Sequence, residues 1–284
     1  MDGTAPHQQA KDSITMAGKV YIVGAGPGAA DLLTLRAATL LRAATIVLHD
    51  DLVPAEILEL CPASAQIVNV GKRCGRHGRS QEQINALMVW HARETEAQTI
   101  VRLKSGDPAV FGRLGEELDA LRHAGVEFEI VPGVTAASAA AAAAKITLTD
   151  RRSASALVVV TAHNARNESL SKALVEPARS TYAVYMPGPD YGGTVKGLVE
   201  SGYEPATPCA VVSHAGRADE EVRHLTLAEL ALVKGITAPA LLIVGEVARR
   251  SQPGTDIDLP NMLDGPSHHI DGNDPGIPAI SLQP

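Results

Sequence analysis

The chain reads as an α/β protein with two α/β domains, on three grounds. Short β-branched runs alternate with longer helical patterns, a Pro-Gly pair interrupts the alternation midway, and a second set of strands follows it. Before the break, strands are predicted at Lys19–Val23, Thr45–His49, Gln66–Val70, Thr99–Leu103 and Glu127–Val131. Helices are predicted between them, at Asp31–Ala43, Pro54–Leu60, Ser80–Thr95 and Gly112–Ala124. The third opens on Ser80 with Gln83 three residues on, a capping box that satisfies orphan backbone donors. Its Ile84, Leu87, Met88 and His91 recur at helical spacing. Such alternation implies a parallel sheet with helices on its faces.

At Val131-Pro132-Gly133-Val134 the chain turns into an Ala-rich helix running through Ala144, whose small side chains let a second layer or a ligand come close. Further strands are predicted at Ala156–Thr161, Thr181–Met186, Pro208–Ser213, Glu221–Leu225 and Leu241–Val247. The expected divisions are a flexible N-terminal arm at 1–17, a first domain at 18–132, a second at 133–250, and a disordered tail at 251–284. His268 and His269, in that tail, read as a solvated pair rather than as metal ligands.

Composition excludes several classes. A net charge of −7 argues against a general nucleic-acid binder, which needs excess Lys and Arg to neutralise phosphates. One Trp and two Phe supply no platform for stacking bases. Cys61, Cys74 and Cys209 are widely spaced, so neither a disulfide framework nor a zinc site is expected, and a reducing cytoplasm is the expected setting. The N-terminal residues lack the order of a signal peptide, and no apolar run approaches the roughly 18–20 residues that span a bilayer, so no membrane association is expected.

The glycine loop Gly24-Ala25-Gly26-Pro27-Gly28-Ala29 follows the first strand and precedes a helix. It fits the G-x-G-x-x-A dinucleotide pattern, and Asp50 and Asp51 end the second strand where a ribose-binding acid would sit. A nicotinamide-dependent oxidoreductase of Rossmann type is therefore one reading of this motif; a ligand-free tight turn is another. A second loop, Lys104-Ser105-Gly106-Asp107-Pro108, follows the fourth strand and should face the same crevice, beyond the carboxyl ends of the strands. Asp107, held extended before Pro108, also suits a turn cap. Arg113 and Glu116 share a helix face, as an i, i+3 ion pair would.

Lys72, Arg73, Arg76 and Arg79 form a glycine-broken basic loop containing His77; in a chain of net negative charge a carboxylate or phosphate receptor is one reading of it and a solvated basic loop the other. Ser153, Ser155 and His163 lack the context of nucleophilic catalysis, and no P-loop, nucleophile elbow or metal-ligand spacing occurs.

Together the segments VYIVGAGPGAADLLTLRAATLL, VLHDDLV, VGKRCGRH, VRLKSGDPAVFGRLGEE, VPGVTAASAAAA, LTDRR, VVVTAH, YMPG and PALLIVGEV resemble the tetrapyrrole methyltransferase family. The resemblance runs from Val20 to about Val247 and is strongest to the branch acting on uroporphyrinogen III. It implies two α/β domains with S-adenosylmethionine (S-adenosylhomocysteine as product) in the cleft between them, and a homodimer. It also implies that the glycine loop serves a methyl-transfer site rather than a dinucleotide. The implied activity is C-methylation of uroporphyrinogen III at C2 and C7, giving precorrin-2 for sirohaem, cobalamin or haem d1 synthesis. A later precorrin intermediate is the alternative substrate.

Carried over by position, the implied cofactor contacts are Pro27, Ser105, Gly106, Asp107, Val110, Thr135, Ala136, Met186, Ala215 and Ala240. The implied acid–base pair is Asp50 and Lys72, and the implied substrate-handling pair is Arg113 and Glu116. The chain departs from the usual family pattern at Ser105 and Leu114 (each usually Gly), Asp51 (Arg), Asp150 (His) and Ala162 (Gly).

Overall fold

The computed structural model describes residues 18–71, 79–94, 99–162, 179–188 and 191–249. The expected arm at 1–17, the basic-loop residues Lys72, Arg73, Arg76 and His77, His163, and the expected tail at 251–284 lie outside the described residues. The described residues fall within one compact unit that ends at Arg249.

Five strands build the first sheet: β1 (Lys19–Gly24), β2 (Ile46–His49), β3 (Gln66–Asn69), β4 (Thr99–Lys104) and β5 (Phe128–Val131). All are parallel, in the order β3-β2-β4-β1-β5. Helices α1 (Leu35–Arg42) and α2 (Ala55–Leu58) cover one face, where Leu41 and Ile57 pack on Val23, Val47 and Leu103. Helices α3 (Gln81–Glu94) and α4 (Leu114–His123) cover the other, where Met88 and Leu121 pack on Val20, Ile22 and Leu48. The chain leaves β1 toward one face and the adjacent β4 toward the other. A crevice must open between their carboxyl ends.

The α3 capping box forms as the spacing predicts: Ser80 N donates to Gln83 Oε1 at 2.8 Å, and Gln83 N to Ser80 Oγ at 3.2 Å. The helix predicted over Asp31–Ala43 is instead broken. A single 3₁₀ turn covers Ala30–Leu32, and α1 starts after Thr34, whose hydroxyl accepts from Ala37 N at 3.1 Å. A Thr at that point offers the backbone a cap, and the chain takes it.

The second sheet holds β6 (Ala156–Thr161), β7 (Ser180–Tyr185), β8 (Pro208–Ser213), β9 (Glu221–Thr226) and β10 (Ala240–Val244), in the order β6-β7-β10-β8-β9. Only β6 and β7 pair parallel; the other neighbours are antiparallel. The short β8–β9 connection closes a hairpin, too short for the crossover that parallel pairing needs. The Ala-rich α5 (Ala136–Ala144) lies on one face against Ala183, Ala210, Leu241 and Ile243. Helices α6 (Tyr191–Glu200) and α7 (Leu227–Leu230), absent from the sequence reading, cover the other against Tyr182, Val211 and Leu242.

Beneath the crevice, β4 turns two cations inward. Arg102 and Lys104 are almost fully buried, and both reach Glu117 of α4, which is completely buried. Arg102 Nε donates to Glu117 Oε1 at 3.0 Å, and Lys104 Nζ to the same oxygen at 2.9 Å. The other end of the Arg102 guanidinium donates to Asp50 Oδ1 at 2.5 Å and to the carbonyls of Leu48 and Leu103. Burial, and after it the neighbouring Arg102, pulls the Lys104 ammonium below its ordinary pKa, with Glu117 and Asp50 opposing. Two cations and two carboxylates share this site, so removing one partner strands a buried charge. Glu117→Ala is therefore expected to lower unfolding free energy by about 3–5 kcal/mol. Urea denaturation checks this, and a loss below about 1 kcal/mol, the level of an exposed pair, would contradict it.

Candidate functional site

The site begins where three strand ends meet. A Cβ on Gly24, at the end of β1, would lie 2.6 Å from both Gly106 O and Gly133 N, so the three loops touch backbone to backbone. Gly26 and Gly106 exchange two hydrogen bonds (3.2 and 2.7 Å), and both hold positive φ, which glycine tolerates without a steric cost. Asp107 stitches the junction. Its Oδ1 accepts from Ala109 N at 2.8 Å, the expected turn cap, and its Oδ2 accepts from Gly133 N at 3.0 Å. With both oxygens receiving backbone N–H groups, this carboxylate builds the loop and is not a free base.

Tyr185, at the end of β7, ties the second sheet to its own helix α5 and meets the first sheet through Phe111. Its hydroxyl shares a 2.5 Å hydrogen bond with Thr135 Oγ1 and accepts from Ala137 N at 3.0 Å, meeting the start of α5. The Phe111 ring, from the β4–α4 loop, tilts onto Tyr185 with centroids 5.1 Å apart.

Between these elements lies a cleft of about 370 Å³, within the usual range of small-ligand pockets. Pro27, Ser105, Gly106, Asp107 and Val110 line its first-sheet side, and Thr135, Ala136, Met186, Ala215 and Ala240 its second-sheet side. These are the positions the resemblance assigns to a cofactor, and one cavity gathers them all. Met186 is half exposed and adopts positive φ. The Ser105 hydroxyl is buried and has no hydrogen-bond partner among the described residues, a polar atom in search of a ligand.

Asp50 and Asp51 line the same cleft. Lys72, the implied partner of Asp50, lies outside the described residues, while Gly71 just before it lines the cleft. Arg113 and Glu116 do not line it. They form a bidentate ion pair at 2.7 and 2.6 Å on the exposed start of α4, one residue beyond the lining Gly112. That pair holds the Arg113 pKa up and the Glu116 pKa down. Their expected role in handling substrate thus rests on the resemblance alone.

The sequence reading missed Tyr185, Arg102 and Arg217. Two cations at alternate positions of β4, Val-Arg-Leu-Lys, were the available signal: in a sheet covered on both faces they require a buried carboxylate. Arg217 carried none, because its place in the cleft follows from the β8–β9 hairpin.

The strand order also decides what the glycine loop means. In a dinucleotide-binding sheet the acid-bearing second strand lies next to the glycine-loop strand. Here β4 lies between β1 and β2, which moves Asp50 and Asp51 to about 10 Å from β1, two strand spacings away. The glycines answer to packing: Gly24 to the junction, Gly26 to its positive φ, and Gly28 to Arg217, whose Cγ would lie 2.5 Å from a Cβ there.

The profile of the Tetrapyrrole (Corrin/Porphyrin) Methylases matches residues 19–231. Siroheme synthase 1 of Cronobacter sakazakii is 44% identical over 243 residues, covering 83% of this chain and 50% of that protein, so the chain spans about half the length of such relatives. Uroporphyrinogen-III C-methyltransferase of Paracoccus denitrificans is 41% identical over 259 residues, 89% of this chain and 88% of that one. The crystal structure of uroporphyrin-III C-methyl transferase from Thermus thermophilus complexed with S-adenyl homocysteine superposes with a TM-score of 0.69 at 38% identity, covering 82% of this chain and 94% of that one. The chain belongs to the tetrapyrrole (corrin/porphyrin) methylase family.

Proposed function

We propose that the chain is a uroporphyrinogen-III C-methyltransferase, moving methyl groups from S-adenosylmethionine to C2 and C7 of uroporphyrinogen III to give precorrin-2. The observation that carries this reading is the single cleft at the strand ends, which gathers every residue the family resemblance implies for the cofactor. The lining suits such a guest: Gly106, Ala136, Ala215 and Ala240 leave room, and the Ser105 hydroxyl awaits a partner. When bound there, the cofactor supplies an electrophilic sulfonium methyl.

The chain's own residues supply position and proton management. The apolar lining, with Val110, Phe111 and Met186, keeps water from the reacting carbon. The ring cation left by methylation must lose a proton from a neighbouring N–H or bridging carbon, and Asp50 is assigned to receive it. The buried Arg102 fixes Asp50 Oδ1, which leaves its second oxygen as the acceptor. Lys72 and the Arg113–Glu116 pair are assigned to the substrate's carboxylates and to tuning this step. We further propose the residue 132/133 division between the two α/β domains, a homodimer, and a cytoplasmic setting. Among the described residues no helix is long and apolar enough to cross a membrane.

Incubation with uroporphyrinogen III and methyl-labelled cofactor is expected to add two methyls per macrocycle by mass. A macrocycle returned unlabelled would refute the assignment. Asp50→Asn keeps an acceptor for Arg102 but removes the base; kcat is expected to fall about 100- to 10,000-fold. Affinity for S-adenosylhomocysteine, measured by calorimetry, should stay within about three-fold, since the proton transfer assigned to Asp50 plays no part in that complex.

A further inference from the structure

We propose that Arg217 is a carboxylate anchor of the cleft, gripping an acid side chain of the macrocycle; this deepens, and rests on, the methyltransferase reading above. Arg217 sits on the β8–β9 hairpin of the second sheet, yet its side chain crosses to the first. Its Nη2 donates to Leu52 O at 2.7 Å, two residues after Asp50. Its stem lies over Gly28, where a Cβ would approach Cγ at 2.5 Å and Nε at 3.0 Å. The hairpin that presents it is pinned from several sides. Arg217 N donates to His214 O, Gly216 N to Glu220 Oε2, and His214 pairs with Asp219 while its other ring nitrogen lies 2.7 Å from Ala238 O.

Among the described residues Arg217 has no carboxylate partner, and its Nε is buried without an acceptor. The acids around it are engaged: Asp219 with His214, Glu220 with Gly216 N, Asp50 with Arg102, and Asp51 with Asn69. With Nη2 holding the Leu52 carbonyl and Nε closed off, the guanidinium has its Nη1 N–H groups left, among the described residues, for a carboxylate in the cleft it lines.

Carboxylate could come from the macrocycle or from the methionyl end of the cofactor. Arg217 reaches the Leu52 side of the cleft, beside Asp50, where the macrocycle must place the N–H or bridging carbon that gives up its proton after methylation, and this favours the macrocycle.

The test compares Arg217→Met, Arg217→Lys and Gly28→Ala with the unaltered chain. It reads kcat and KM for uroporphyrinogen III, the Kd of S-adenosylhomocysteine, and the melting temperature. Arg217→Met is expected to raise KM about ten- to a hundred-fold, the value of a charge-assisted hydrogen bond, with kcat and the S-adenosylhomocysteine Kd within about three-fold. Arg217→Lys should recover part of the loss, and Gly28→Ala, which displaces the side chain, should reproduce the loss without altering the charge. An unchanged KM in Arg217→Met overturns the anchor while leaving the methyltransferase reading intact. A Kd for S-adenosylhomocysteine that rises in step with KM reassigns Arg217 to the cofactor. A lowered melting temperature with unchanged KM makes it a structural tie, also against the proposal. An unaltered chain that neither binds nor methylates uroporphyrinogen III overturns both.

Discussion

Backbone pressed against backbone at Gly24, Gly106 and Gly133 is what the rest of the site is built upon. Three strand ends converge so closely that a single methyl on Gly24 would meet a carbonyl and an amide at 2.6 Å. Asp107 locks the convergence by receiving N–H groups from two of the loops. Because three glycines meet at the junction, the space above it stays open, and the second sheet approaches near enough for Tyr185 to meet Phe111 of the β4–α4 loop. A cleft of about 370 Å³ is the consequence of that economy.

A second constraint lies underneath. Parallel strands covered on both faces are normally apolar throughout, yet β4 carries Arg102 and Lys104 into the interior, where Glu117 and Asp50 answer them. Replacing such a group with hydrocarbon is often neutral or stabilising in other proteins, so stability alone does not explain its presence. Its geometric product is a fixed Asp50. The carboxylate that ends β2 is held from below by a guanidinium that itself has four acceptors and no freedom to turn.

Much of this was legible in the residues, and the exceptions have causes. Every strand was readable from β-branched runs, and α3 from its capping box and periodic Ile84, Met88 and His91. Helix α6 was not, because Gly192, Gly193 and Gly197 depress helix propensity; the burial of Tyr191, Thr194, Val195 and Leu198 along one face overrides it. Helix α7 has only four residues, held by a capping box between Thr226 and Glu229. The antiparallel pairing of β8 with β9 depended on loop geometry, and with it the position of Arg217. Ten cofactor positions were named by resemblance and found in one cavity, whereas Arg102 and Tyr185, which support the site from behind, required the packing to be seen.

Asp51 stands where the resemblance implies a cation. An anion there adds negative charge to a cleft assigned a polycarboxylate guest. Asn69 at the end of β3 meets it: its Nδ2 donates to Asp51 Oδ1 at 3.2 Å while its own Oδ1 accepts from Gly71 N at 2.8 Å. The carboxylate is thereby turned toward the β3 side wall, and Gly71, which has no Cβ, packs directly on the Asp51 backbone. With position 51 withdrawn from any cationic role, an acid-bearing guest must find its counter-charge elsewhere in the cleft. Arg217, arriving from the opposite sheet and lacking a carboxylate among the described residues, is the lining guanidinium that can provide it. On the proposed reading, an anion on one wall is matched by a cation from the other, so both sheets shape the site.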